Sequence, residues 1–249
     1  VSDVKAFVTE INHLIEREGT ADLLKSRFSP WIETLRDEDK KGRAQAEPQW
    51  TSGNTPIHPM RLAREVDDFL DRDNDMLVTD GGDTTTWAGM TRTIRKAGHY
   101  LDYGLFGSLG GGVPYANAAK FMYPDRRVVL LTGDGSLGFN FMEFERAITK
   151  GLPIVVVVSN DLGWGMIRHS QEVKLGRAIS PVVELGTIHY ERFVEAMGGL
   201  GILVEEPDDI RPALETAFES GRTCLINVMT DPTTVSPGSI ALANVGAYQ

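Results

Sequence analysis

Val128-Val129-Leu130-Leu131-Thr132 runs into Gly133-Asp134-Gly135-Ser136, and some two dozen residues later Ile154-Val155-Val156-Val157-Val158 runs into Ser159-Asn160-Asp161. Both halves share one design. Each apolar run, short and rich in β-branched residues, reads as a strand at the centre of a parallel sheet, and each ends in polar side chains. Residues 141–148 between them read as a helix, so the strand ends come side by side on the edge where parallel sheets bind ligands. Asp134 and the Asn160-Asp161 pair, with no His or Cys nearby, suit a hard cation such as Mg²⁺ more than zinc. An Asp between glycines is by itself an ordinary turn residue; the second motif makes it a ligand candidate. Gly133 and Gly135 leave room for a diphosphate against the backbone, and the amides of Gly135 and Ser136 at the helix start favour an anion.

Outward from this centre, strands and helices alternate. Pro59 opens a helix through Leu62, Val66, Phe69 and Leu70, residues 76–79 form a strand, and Asp80-Gly81-Gly82 turns the chain. A helix follows around residues 87–94, then an irregular stretch over 100–112 and a helix opened by Pro114. Beyond the central motifs come a helix at 190–197, a strand at 201–205, a helix at 208–219 capped by Asp208, and a strand at 224–228. This alternation predicts an α/β fold, a doubly wound and mainly parallel sheet with helices on both faces. Four segments are expected. Residues 1–28 begin with an amphipathic helix (Val4, Phe7, Val8, Ile11, Leu14, Ile15) with Ser2 available as N-cap. Residues 29–54, poor in aliphatics and carrying Pro48 and Gly53, form a linker with room for a short helix. Residues 55–231 form the main domain, and 232–249 a loose or lid-like tail.

The chain has 249 residues, 41% hydrophobic, enough for a substantial core. A formal charge of -10 and a pI near 5.0 argue against a nucleic-acid or anionic-membrane partner. An acidic protein that binds an anionic cofactor needs a local device, and a metal supplies one. Cys224, the single cysteine, cannot form an internal disulfide and reads as a buried small residue. No signal peptide opens the chain and no apolar run reaches the roughly 20 residues that span a bilayer, so a soluble, cytoplasmic protein is expected.

The paired motifs resemble the diphosphate-binding module of thiamine diphosphate (ThDP) enzymes, whose signature is Gly-Asp-Gly, a spacer of this length, and an Asn-Asn-like pair. The resemblance covers about residues 54–231. It implies ThDP and Mg²⁺ as cofactors, with Asp134, Asp161 and the Gly163 carbonyl as metal ligands and Gly133, Gly135, Ser136 and Asn160 around the cofactor. Asp161 stands where the family usually has Asn, which adds a negative charge and leaves open whether Asn160 or Asp161 faces the metal. Gly107-Ser108-Leu109-Gly110-Gly111-Gly112-Val113-Pro114 is alone only a glycine-rich loop. It is similar to a phrase of the acetolactate synthase and 2-hydroxyacyl-CoA lyase superfamily. The match implies that the Gly107 carbonyl accepts from the cofactor's 4'-amino group and that Leu109 is the wedge that bends the cofactor. Asp83 and Thr84 match the family's other diphosphate-side loop. Trp87, Trp164, Arg168, His169 and Gln171 are candidates for the substrate side, with His169 read as a packing residue rather than a general base. His58 and His189 read as element-boundary residues.

In this superfamily a glutamate on a separate pyrimidine-binding domain activates the cofactor, reaching it from another chain. No stretch here resembles that domain. The resemblance therefore implies a C-terminal half, either a small subunit or a piece of a longer protein, that needs this partner in a dimer or tetramer and does not turn over alone. The expected activity is carbon-carbon bond cleavage or formation, first as 2-hydroxyacyl-CoA lyase with a CoA thioester substrate, second as acetolactate synthase. A non-catalytic module that binds cofactor or partner is the alternative of another class. A nicotinamide-binding protein needs Gly-x-Gly-x-x-Gly after the first strand, where this chain has Gly81-Gly82-Asp83-Thr84.

Overall fold

A computed structural model describes residues 3–71, 73–179 and 181–245. The chain divides into two compact units, Val1–Pro48 and Gln49–Gln249. The first begins with helix α1 (Val4–Arg17), whose N-cap is Asp3: its side chain accepts from the Ala6 amide at 3.0 Å. Ser2, the expected cap, lies outside the described residues. Helix α2 (Ala21–Trp50) is continuous through most of the stretch expected as a linker. Few aliphatics there mean an exposed helix, not an absent one. The segment is rich in good helix formers, and Lys41–Glu38 (2.8 Å) and Arg43–Asp39 (2.9 Å) pair along its surface.

The second unit holds a six-stranded, wholly parallel sheet in the order β2-β1-β3-β4-β6-β5. The strands are β1 (Met76–Asp80), β2 (Tyr100–Leu101), β3 (Val128–Gly133), β4 (Val155–Asn160), β5 (Leu200–Val204) and β6 (Cys224–Met229). Helices α3 (Pro59–Phe69), α4 (Gly82–Thr91), α5 (Gly112–Met122), α6 (Asp134–Phe139), α7 (Glu143–Thr149), α8 (Gly165–Leu175), α9 (Tyr190–Ala196) and α10 (Ile210–Glu219) precede or connect them. This is the expected doubly wound α/β fold. Met76, Val78, Val128, Leu130, Val156, Val158 and Leu225 form one core with residues of α5, α7 and α9 such as Val113, Phe144 and Val194. The alternate residues Leu77, Val129, Leu131, Val155, Val157 and Ile226 are equally buried and point the other way. Burial on both faces explains why β3 and β4 read as unbroken apolar runs.

From β1 the chain winds outward to β2, then returns to place β3 on the other side of β1. The reversal opens a crevice at the carboxyl ends of β1 and β3, the place where doubly wound sheets bind ligands. After β6 the tail forms helix α11 (Pro237–Asn244), in which Ser236 caps the Ser239 amide at 3.0 Å and both serines are fully buried. The segment expected as a loose or lid-like tail is thus helical, with Ser236, Ser239 and Ala243 buried and Val245 exposed. Its last four residues lie outside the described ones.

Candidate functional site

A cavity of about 310 Å³ opens at these strand ends, lined by Gly81–Thr84, Gly107, Leu109, Gly133–Ser136, Asp161, Gly163 and Trp164 among others. Asp134 begins α6 directly after β3. Its Oδ1 accepts from its neighbour Gly135 N at 2.9 Å and its Oδ2 from Gly163 N at 3.0 Å, so the two motifs are tied across the crevice. Gly135 is required by a close approach: a Cβ there would stand 2.8 Å from the Trp164 ring. Gly81 has φ +108°, and a Cβ on it would meet Ser136 Oγ at 2.9 Å.

Asp134 and Asp161 both line the cavity, and each carboxyl feels the other's charge. Burial, then the negative charge of Asp161, pushes the Asp134 pKa up to about 8. Burial also raises Asp161, although Arg168 donates to its Oδ2 at 2.9 Å. Two interacting carboxyls, one buried and one half-buried, are a poor resting place for two negative charges and a good one for a divalent cation. No three His, Cys, Asp or Glu side chains gather to hold a metal among the described residues. A cation here would therefore draw its remaining ligands from backbone carbonyls, water and an anionic ligand. That donor set fits Mg²⁺, which keeps waters and binds through one or two carboxylates plus phosphate oxygens.

Of the two candidates at the end of β4, Asp161 lines the cavity and Asn160 does not. Asn160 is fully buried, with Nδ2 donating to Asn227 Oδ1 (3.0 Å) and Oδ1 accepting from Leu162 N (3.2 Å), so its side chain faces the sheet interior. The expectation of a cofactor contact from that side chain is corrected here.

Asp83 lies in the first turn of α4 on the cavity wall, but its carboxylate is engaged within the chain. Its Oδ1 accepts from Ser236 Oγ and from Ser239 Oγ (2.7 Å), and its Oδ2 faces His169 Nδ1 at 3.0 Å. Asp83 thus fastens the tail rather than presenting free oxygens to a diphosphate. His169 is 1% exposed and its Nε2 faces the Pro232 carbonyl at 2.9 Å. Burial disfavours its charged form, yet the Asp83 hydrogen bond and the Pro232 carbonyl outweigh it and the pKa is raised. Both ring nitrogens are engaged within the chain, and the residue also borders the cavity.

Thr84, Trp87 and Trp164 line the cavity; Arg168 is occupied by Asp161 and the Pro232 carbonyl (2.8 Å). Gln171 accepts from the Ile179 amide at 2.9 Å and belongs to the scaffold. Sequence reasoning missed Asp80, the last residue of β1. Its Oδ2 accepts from both Gly110 N (2.9 Å) and Gly112 N (2.8 Å), which anchors the glycine-rich loop carrying Gly107 and Leu109. An acidic residue ending a buried strand ahead of that loop was the available signal.

A crevice at a topological switch point, two glycine-rich turns and a pair of carboxyls on the cavity wall mark a cofactor-binding α/β domain. The chain belongs to the thiamine pyrophosphate enzyme, C-terminal TPP binding domain family, whose model matches residues 80–228. It is 39% identical over 213 residues to a probable acetolactate synthase from Mycobacterium bovis, covering 86% of this chain and 39% of that protein. It is 32% identical over 220 residues to 2-hydroxyacyl-CoA lyase 2 from Bos taurus, covering 86% of this chain and 34% of that protein. A solved thiamine diphosphate-dependent 4-hydroxybenzoylformate decarboxylase from Rhodococcus jostii RHA1 superposes with a TM-score of 0.67 at 25% identity, over 73% of this chain and 34% of that one. The chain therefore spans little more than a third of the length of these relatives. No helix among its described residues is long and apolar enough to cross a membrane.

Proposed function

We propose that this chain holds the diphosphate end of ThDP, with Mg²⁺, in an enzyme that breaks or forms a carbon-carbon bond next to a carbonyl. The observation that carries the reading is the Asp134–Asp161 carboxyl pair, with Asp134 tied to Gly163, in a glycine-lined cavity. Asp134, Asp161 and the Gly163 carbonyl are the protein's metal ligands. The Ser136 amide binds phosphate oxygens, with Gly133, Gly135 and Thr84 beside it on the cavity wall. Gly107 and Leu109 orient the other end of the cofactor, and Asp80 holds their loop in place. When bound, ThDP supplies the carbon nucleophile and electron sink for the bond change.

This chain's share is binding, orientation and exclusion of water. A pyrimidine-binding domain, on a partner subunit or in a longer chain, contributes the activating glutamate in a dimer or tetramer. The first substrate reading is a 2-hydroxyacyl-CoA thioester cleaved to a formyl-CoA-type product and an aldehyde or ketone. The 39% identity to a protein named as acetolactate synthase favours a second, condensation of 2-oxo acids. ThDP titration of the assembled protein with and without Mg²⁺ tests the site. Asp134→Ala is expected to abolish the Mg²⁺ dependence and weaken binding; unchanged affinity overturns the metal assignment. Formyl-CoA release against acetolactate formation then separates the two reactions.

A further inference from the structure

The turn that carries Asp161 and Gly163 contains the one positive-φ residue other than glycine among the described residues. Leu162 has φ +62°, a left-handed conformation that a leucine rarely adopts and that surrounding contacts must enforce. Its carbonyl accepts from Leu185 N at 3.0 Å and its amide donates to Asn160 Oδ1 at 3.2 Å. Behind Asn160 runs a buried polar chain through two more elements. Asn160 Nδ2 donates to Asn227 Oδ1 on β6 (3.0 Å), and Asn227 Nδ2 donates to Glu191 Oε2 on α9 (2.8 Å). Glu191 is 6% exposed, and its other oxygen faces His189 Nδ1 at 2.8 Å.

The order of donors and acceptors fixes the direction of this chain. An amide that turns its oxygen to the Leu162 N–H must turn its nitrogen to an acceptor, and Asn227 supplies one. Asn227 then needs acceptors for its own nitrogen: the Glu191 carboxylate is the nearer at 2.8 Å and the Ile188 carbonyl the farther at 3.3 Å, which closes the series. Reversing Asn160 would set its NH₂ against the Leu162 amide. Packing alone would be met by apolar residues of similar volume, without the cost of burying a carboxylate.

We propose that Asn227 and Glu191 are positioning residues for the cation clamp. Acting through Asn160, they hold Leu162 in its left-handed conformation and so present the Asp161 carboxyl and the Gly163 amide to Asp134. The inference rests on the reading of Asp134 and Asp161 as cation ligands.

The test uses the protein purified in its native assembly, with Mn²⁺ as the probe cation in the presence of ThDP. Mn²⁺ affinity is read from the electron paramagnetic resonance of the free ion, and amide hydrogen exchange is followed at Leu162 and Gly163. Glu191→Ala and Asn227→Leu are expected to weaken Mn²⁺ binding about tenfold, as loss of a residue behind a metal ligand typically does, and to speed both amides. Glu191→Gln keeps an acceptor for Asn227 and should stay within about threefold of the wild type. Adding Leu162→Gly to either damaging variant should restore most of the affinity, because glycine reaches the left-handed region without support. A merely structural role predicts lower melting temperatures with unchanged Mn²⁺ affinity and no rescue by glycine; either result overturns the proposal. Should Asn227→Leu fail to fold, the contrast between Glu191→Ala and Glu191→Gln decides alone. Asp134→Ala separates the two levels. If it leaves Mn²⁺ binding intact, the clamp reading falls and takes the inference with it. If it abolishes binding while Glu191→Ala does not weaken it, only the positioning role falls.

Discussion

Stripped of divalent cations, the protein should lose stability as the pH rises from about 5 to about 8, and Asp134 is the main cause. Its pKa goes from 3.8 in an open chain to about 8 in the fold, through burial and then the charge of Asp161. Between those values the native state keeps a proton that the unfolded state has released. The native state binds more protons, so the stability of the fold falls with pH. Across about three pH units one such proton amounts to ~4 kcal/mol. Coupling to Asp161 and partial entry of water cut this to about 2 kcal/mol.

His169, also raised, loses its stabilising charge as pH climbs and acts in the same direction. His58 and His99, lowered first by burial, act the opposite way. The informative quantity is therefore the difference between wild type and Asp134→Asn, measured by urea unfolding in EDTA at several pH values. The variant should be weaker everywhere, because one amide oxygen cannot accept from both Gly135 N and Gly163 N, but its pH slope should be shallower. Mg²⁺ should flatten the wild-type slope and leave the variant unmoved. Parallel slopes for the two proteins in EDTA would falsify the assignment of this titration to Asp134.

Other consequences are separate from the titration. Asp83→Ala leaves two serine hydroxyls and the His169 ring without their partner, at roughly 3 kcal/mol, and hydrogen exchange over residues 236–244 should quicken; unchanged exchange would mean the tail is held otherwise. Asp80→Ala frees the Gly110 and Gly112 amides at about 2 kcal/mol and should weaken ThDP binding, read by quenching of the tryptophans that line the cavity. Equal affinity would remove the loop from the cofactor's environment. Cys224 is fully buried, with its thiol pushed up to about 12 by that burial; a thiol reagent should label it only in denaturant, and labelling of the native protein would contradict the packing of β6.

The legible parts of this protein were those governed by short-range rules. Buried parallel strands must be apolar along their whole length, so β3 and β4 could be read directly, and glycines at close backbone approaches marked Gly133 and Gly135. Contacts between residues far apart in sequence were not legible. Asp83 sits within a glycine-rich turn, where its spacing suggests a ligand contact. Its true partners, Ser236 and Ser239, lie about 150 residues away. The choice between Asn160 and Asp161 depended likewise on Asn227, reached only once β4 and β6 are paired. The long helix α2 escaped for a different reason: apolar periodicity detects helices that bury a face, and this one is exposed almost throughout.

On the proposed reading, the clamp accounts for how an acidic protein can use a carboxylate-rich crevice to hold a diphosphate. Asp134, Asp161 and Asp83 crowd one end of the cavity, and Arg168 and His169 offset only part of their charge. A diphosphate placed there alone would meet repulsion, and the carboxyl pair alone prefers to keep a proton. A divalent cation removes both penalties at once, displacing the proton and turning the pair into an attractive site for phosphate oxygens. Metal and cofactor should therefore bind with strong mutual dependence, each raising the other's affinity by the same factor. That dependence should weaken as the pH falls below about 8, because protons then compete for the carboxyl pair. A ThDP affinity that ignores Mg²⁺ across that range would mean that the diphosphate is held by backbone amides and the helix start alone.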